Sequence, residues 1–240
     1  MSGHSKWNNI KQRKGKEDSK RAAIFTKLGR FIMVAARDGG ADPEYNSSLK
    51  AAIDKAKAEN MPNDNIERAI KKGAGGMDGE NFESIRYEGY GPAGTAFIVD
   101  CLTDNRNRTA ADVRHLFEKS GGNMGQNGSV SFMFDRKGIF YLERGDIAED
   151  TIFEEAIEAG ADDVIIYDDG YEILTDPTEF ANVYKALGEK YHFEEAKIGY
   201  IPQNTVTVDE ENRAKLEKFI DGLEDNDDVQ EVYHNWEMDA

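Results

Sequence analysis

A chain of 240 residues is too long for one minimal domain and has room for two or three small ones, and with 39% apolar and 32% charged residues it can bury a core beneath a polar surface. No apolar run approaches the ~20 residues that span a bilayer, and the opening MSGHSKWNNI lacks an apolar leader core, so a cytoplasmic protein is expected. The net charge of -17 conceals a polarity: the first thirty residues carry nine Lys/Arg against two Asp/Glu, whereas residues 131–240 carry nine against thirty, a balance that would repel a polyanion along most of its length.

The basic head, SGHSKWNNIKQRKGKEDSKR, has almost no apolar period and is expected to be an arm that orders on binding. Lys6, Lys11, Arg13, Lys14, Lys16, Lys20, Arg21, Lys27 and Arg30 crowd this end, with Trp7 among them. Such cations bind phosphates without sequence preference, and an aromatic ring adds stacking on unpaired bases. The bland alternatives are a solvated basic helix and a tryptophan that caps a small core.

Ile24, Leu28, Phe31 and Ala35 recur at helical spacing and predict a helix closed by Gly39 and Gly40. A second helix starts near Asn46 with the stripe Leu49, Ala52, Ile53 and Ala56, and stops before Pro62. A third, capped by Asn63 or Asp64, ends at Gly73, Gly75 and Gly76. Residues 1–79 therefore read as a helical domain.

Beyond this joint the period changes to runs rich in β-branched and aromatic residues. Strands are predicted over 84–87, 95–102 and 129–134, with a helix over 108–119 between the last two. Residues 135–203 then read strand, helix, strand, strand, helix, strand, the ferredoxin-like order. The tail gives a strand at 205–208, a helix at 213–223 and a strand at 229–233, too little for a domain of its own. It is expected to complete the sheet begun at Ser84, which makes residues 80–134 plus 204–240 one α/β domain with 135–203 inserted in it. The predicted class is α+β: an N-terminal helical domain followed by two α/β domains, one ferredoxin-like and inserted in the other.

Gly89-Tyr90-Gly91-Pro92-Ala93-Gly94 spells a dinucleotide fingerprint, but its glycines precede a strand rather than a helix, so a hairpin loop is the better reading. Asp104-Asn105-Arg106-Asn107-Arg108-Thr109 joins a strand to a helix. It either builds a turn and caps the helix, or holds phosphate through Arg106, Arg108 and the helix amides. The acidic clusters at 162–169 and 225–228 lack the spacing of a calcium loop and read as solvated turns. Cys101 lies alone in a strand pattern, and His4, His115, His192 and His234 stand far apart, so no disulfide, metal site or cofactor is expected. No triad or Cys/His arrangement is signalled, no catalytic residue is assigned, and the chain is expected not to be an enzyme.

The run Gly3-His4-Ser5-Lys6-Trp7-Asn8-Asn9-Ile10-Lys11 resembles the opening of YebC/PmpR proteins. Three further runs match that family in order: Tyr87 to Pro92, Asp104 to Thr109, and Asp227 to Asn235. One departure is Ala23, where relatives often place a lysine. The resemblance implies a helical domain and two α/β domains. It also implies one of two roles: a DNA-binding transcriptional regulator, or a ribosome-associated translation factor that relieves stalling at proline runs, similar to the mitochondrial activator of cytochrome oxidase translation. His4 and Ser5 join the basic residues as candidate nucleic-acid contacts on this ground. The expected partner is rRNA or DNA, and no membrane.

Overall fold

The computed structural model describes residues 21–75 and 82–237. In its first part the helical period produces α1 (Arg21–Gly39), α2 (Ser47–Ala58) and α3 (Asn63–Gly73). Leu28, Ile32 and Ala36 of α1 meet Leu49, Ile53 and Ala56 of α2 and Ile66 of α3 in one core. Asn46 serves two elements. Its side-chain oxygen accepts the Leu49 N–H at 3.0 Å and so caps α2, while its amide donates to the Ala35 and Gly40 carbonyls at the end of α1. The cap predicted for α3 is not formed. Pro62 occupies that position, its carbonyl accepts from Asn65 and Ile66, and Asn63 lies within the first turn with no side chain capping the helix. The fixed φ of proline, -59° here, suits entry into a helix without such help.

The remaining elements are β1 (Glu83–Tyr90), β2 (Ala96–Thr103), α4 (Arg106–Lys119), β3 (Asn123–Met124), β4 (Phe134–Glu143), α5 (Glu149–Glu158), β5 (Asp163–Ile166), β6 (Gly170–Thr175), α6 (Phe180–Gly188), β7 (Glu195–Pro202), α7 (Glu210–Glu224) and β8 (Val229–His234). The described residues fall into two compact units. One contains the three helices with residues 136–199, the other residues 82–135 with 200–237.

In the first unit the sheet order β5-β6-β4-β7, with connections βαββαβ, is the ferredoxin-like topology. Phe140, Leu142, Tyr171 and Ile173 face α5 and α6, where Ile152, Phe180, Val183 and Leu187 complete a core. Strand alternation turns Glu172 to the opposite face. There it is 1% exposed and accepts hydrogen bonds from the hydroxyls of Tyr141, at 3.0 Å, and of Tyr167.

In the second unit the order is β3-β1-β2-β8. β1 and β2 form an antiparallel hairpin with Tyr90 opposite Ala96, so the glycine-rich run is indeed a hairpin loop, and β8 returns antiparallel to β2. The tail thus completes the sheet begun near Ser84. Helices α4 and α7 cover one face, placing Val113, Phe117, Leu216, Phe219 and Leu223 against Phe97, Val99 and Cys101. Ala96 and Ile98 line the other face with Val130 and Phe134.

Two predicted strands are corrected. Residues 129–133 form a loop with a 3-10 turn at Ser131–Met133, and the next strand runs unbroken from Phe134 to Glu143. The backbone N–H groups of Val130 and Ser131 are taken by a carboxylate, Glu88, rather than by a neighbouring strand. The strand at 205–208 reduces to a single parallel bridge between Val206 and Trp236. Among the described residues no helix is long and apolar enough to cross a membrane.

Candidate nucleic-acid interface

Of the candidate contacts, His4, Ser5, Lys6, Trp7, Lys11, Arg13, Lys14, Lys16 and Lys20 lie outside the described residues. Arg21 opens α1. Lys27 and Arg30 stand three residues apart on α1, half-buried and each engaged in contacts, beside the inward-facing Leu28. The period that buries Leu28, Ile32 and Ala36 therefore fixes a rigid base at the point where the cation-rich segment joins the fold.

Arg106 and Arg108 meet different fates in the 104–109 run. Asn105 is the N-cap of α4, accepting the Arg108 N–H at 3.1 Å. The Arg108 guanidinium donates to Asp228 Oδ2 at 2.8 Å and to Asp104 Oδ1 at 3.0 Å. Asp228 is 3% exposed, and the same Oδ2 also accepts from Thr109 at 2.8 Å and Thr103 at 3.2 Å. The hydrogen bonds it donates, to Asp228 first and Asp104 second, hold the Arg108 guanidinium above its ordinary basicity. The side chain of Arg106 is exposed and makes no hydrogen bond or ion pair among the described residues. The run forms a turn and caps α4, with Arg108 fastened to the fold and Arg106 facing solvent at the helix N-terminus.

The other two shared runs are built into the same unit. Asn235 is 1% exposed and pairs with Ala96, accepting its N–H at 2.7 Å on the side chain and donating its own N–H to the Ala96 carbonyl at 3.2 Å. In the hairpin run, a Cβ at Gly91 would lie 2.7 Å from the Phe97 ring, and one at Gly89 would strike the Asn123 carbonyl. Glu88, 3% exposed, accepts N–H groups from Gly128 at 2.9 Å, Val130 at 2.9 Å and Ser131 at 2.8 Å. Burial alone would raise its pKa; the three backbone amides together with the Ser131 hydroxyl outweigh burial and hold the carboxyl below its usual range.

Sequence reading singled out neither Glu88 nor the loop it holds. The signal was present, because Gly121 to Phe134 is fourteen residues without a charge in a chain that is 32% charged. In the first unit a cavity of about 790 Å3 opens between α2 and α6, where Lys50, Lys57 and Lys185 are balanced by Glu44, Asp54 and Glu189. No three His, Cys, Asp or Glu side chains among the described residues form a group that could hold a metal ion.

Among the described residues, three helices followed by two four-stranded α/β sheets, in a chain with a cation-rich leading sequence, define a modular α+β protein whose shared motifs hold its architecture together. Residues 5–76 match the family model described as the TACO1/YebC protein N-terminal domain, and residues 82–236 match that of the TACO1/YebC second and third domain. The chain belongs to the TACO1/YebC family. It is 56% identical over 239 residues to a "Probable transcriptional regulatory protein" of Finegoldia magna, covering 99% of each chain. It is likewise 56% identical over 234 residues to one of Clostridioides difficile, covering 96% of this chain and 98% of that one. A conserved hypothetical protein from Aquifex aeolicus, known from a crystal structure, superposes with a TM-score of 0.84 at 47% identity, covering 92% of this chain and 91% of the other.

Proposed function

We propose that this protein is a cytoplasmic, non-enzymatic regulator of gene expression that engages nucleic acid by its N-terminal end, as a ribosome- or RNA-associated translation factor easing stalling at proline runs. The observation that carries this reading is the charge polarity: nine Lys/Arg against two Asp/Glu in the first thirty residues, and nine against thirty after residue 130. Such a molecule is repelled when laid along a duplex, yet it can enter a crowded site head first, with only its cations among phosphates. In this reading residues 1–79 bind, with His4, Ser5, Lys6, Trp7, Lys11, Arg13, Lys14, Lys16, Lys20, Arg21, Lys27 and Arg30 as contacts. Arg106 and Arg108 add contacts from the middle domain (80–134 plus 204–240), and the strongly acidic domain at 135–203 supplies none.

A second reading, a DNA-binding transcriptional regulator, is favoured by the name the relatives carry. Sucrose-gradient sedimentation of tagged protein from gently lysed cells separates the two. The translation reading expects comigration with ribosomal particles that resists DNase. Comigration with chromosomal DNA that DNase abolishes would favour the second reading, and protein confined to the top of the gradient would sink both.

A further inference from the structure

We infer that the loop from Gly121 to Phe134 is a second nucleic-acid contact, in which the ring of Phe132 stacks on an unpaired base. The inference rests on the nucleic-acid reading above but on different residues. Phe132 is 69% exposed although its neighbours in the loop, Val130 and Phe134, are buried at 0% and 6%. An isolated exposed aromatic is ordinarily unremarkable. This one stands on a loop whose shape is imposed from beneath. Glu88 is buried with its carboxylate turned to the N–H groups of Gly128, Val130 and Ser131, and its own carbonyl accepts the Gly125 N–H at 2.8 Å. Losing the hydration of a carboxylate is costly, and here it is offset only by fixing this loop. The stem is pressed onto the sheet as well, for a Cβ at Gly122 would run into the Tyr90 carbonyl.

Charge points to the occupant. The loop has no ionisable side chain, so a polyanion meets no carboxylate on it. The half of helix α4 that leads into the loop, Val113 to Lys119, carries Arg114 and Lys119 against Glu118, a positive balance in a chain that is acidic overall. Exposed Gln126 and Asn127 add amide donors and acceptors suited to base edges. A held aromatic ring, neutral amides and flanking cations are the means by which proteins bind single strands with little sequence preference.

The test uses the full chain with a uridine-rich single-stranded RNA and a DNA strand of matching sequence. Trypsin releases the loop in one peptide, Ser120 to Arg136, so ultraviolet cross-linking and mass spectrometry report on it directly. The inference expects a nucleotide adduct in that peptide, and Phe132→Ala to weaken single-strand binding at least about fivefold at unchanged melting temperature. Phe132→Trp should restore binding, because any aromatic face stacks. Wild-type protein that binds both strands with no adduct in the peptide and no effect of Phe132→Ala overturns this inference and leaves the nucleic-acid reading standing. Cross-links from the peptide to protein alone, in ribosomal fractions, would also overturn it by making the loop a protein contact. Absence of binding to either strand would overturn both.

Discussion

Asp228 Oδ2 collects three donors, from Arg108, Thr109 and Thr103, and joins the start of α4 to the turn before β8. Asp228→Ala would remove the acceptor shared by Arg108, Thr109 and Thr103, leaving Thr109 to turn to the Asn105 carbonyl at 3.1 Å, and should cost about 2 to 4 kcal/mol in urea unfolding. Arg106→Ala removes a charge with no internal partner. It should change stability by no more than about 0.5 kcal/mol while weakening nucleic-acid or ribosome association, and full retention of binding would return this loop to a purely structural role. Glu88 predicts a pH effect of definite sign. Its carboxyl titrates below the ordinary range in the folded chain, so its contribution is complete above the unfolded value of about 4.3 and is lost as pH falls through the depressed folded value. Amide exchange at Gly128, Val130 and Ser131, corrected for the intrinsic pH dependence, should lose protection in the wild type as acidification passes below the ordinary carboxylate range. In Glu88→Gln that step should be absent. Local sequence could place Asn105 as a turn former and offer Arg108 as a phosphate ligand. It could not show that Arg108 is bound by an aspartate 120 residues away.

At the scale of elements, helices were the most legible. The predicted stripe Ile24, Leu28, Phe31 and Ala35 finds the right side of α1 only in part, since the residues buried with Leu28 are Ile32 and Ala36, one position further on, whereas Leu49, Ile53 and Ala56 of the second stripe are buried as read. The segment at 129–134 misled because Val130, Phe132 and Phe134 alternate with other residues as in a strand, and the group that decides its shape lies some forty residues earlier in β1. The cap of α3 was misplaced for a more local reason, a proline competing with asparagine for the entry to the helix. Close packing within the helical core yields a further prediction. A Cβ at Gly73 would collide with the Met33 carbonyl and come 2.9 Å from the Cβ of Ala36, so Gly73→Ala should push α3 off α1. The expected cost is about 1 to 3 kcal/mol, against the slight gain that alanine brings to an exposed helix, and calorimetry of the full chain decides the sign.

For the whole molecule, composition was informative and topology only partly so. The charge polarity and the ferredoxin-like order are visible in the sequence, because they depend on counts and periods. The pairing of β8 with β2 had to be inferred from the tail's inability to form a domain, since nothing local in Val229 to His234 names its partner. If about five of the leading cations engage phosphate, the log-log salt slope should lie near -4.5 on duplex DNA and about -3.5 on single strands. Deleting Met1 to Lys16, which contains few apolar residues, should flatten that slope and leave the melting temperature within a few degrees; a slope unchanged by the deletion would exclude the arm. The return of β8 to β2 also bears on how the chain is made. Phe97 lies opposite His234, so the second sheet joins positions 137 residues apart, with the ferredoxin-like fold synthesised in between. A growing chain can close its helical core and its inserted sheet early. The hairpin of β1 and β2 must wait with an open edge until β8 appears. β8 therefore acts as the final stitch of this sheet, and losing Val229 to His234 would leave an unpaired strand edge prone to self-association rather than a merely shortened protein.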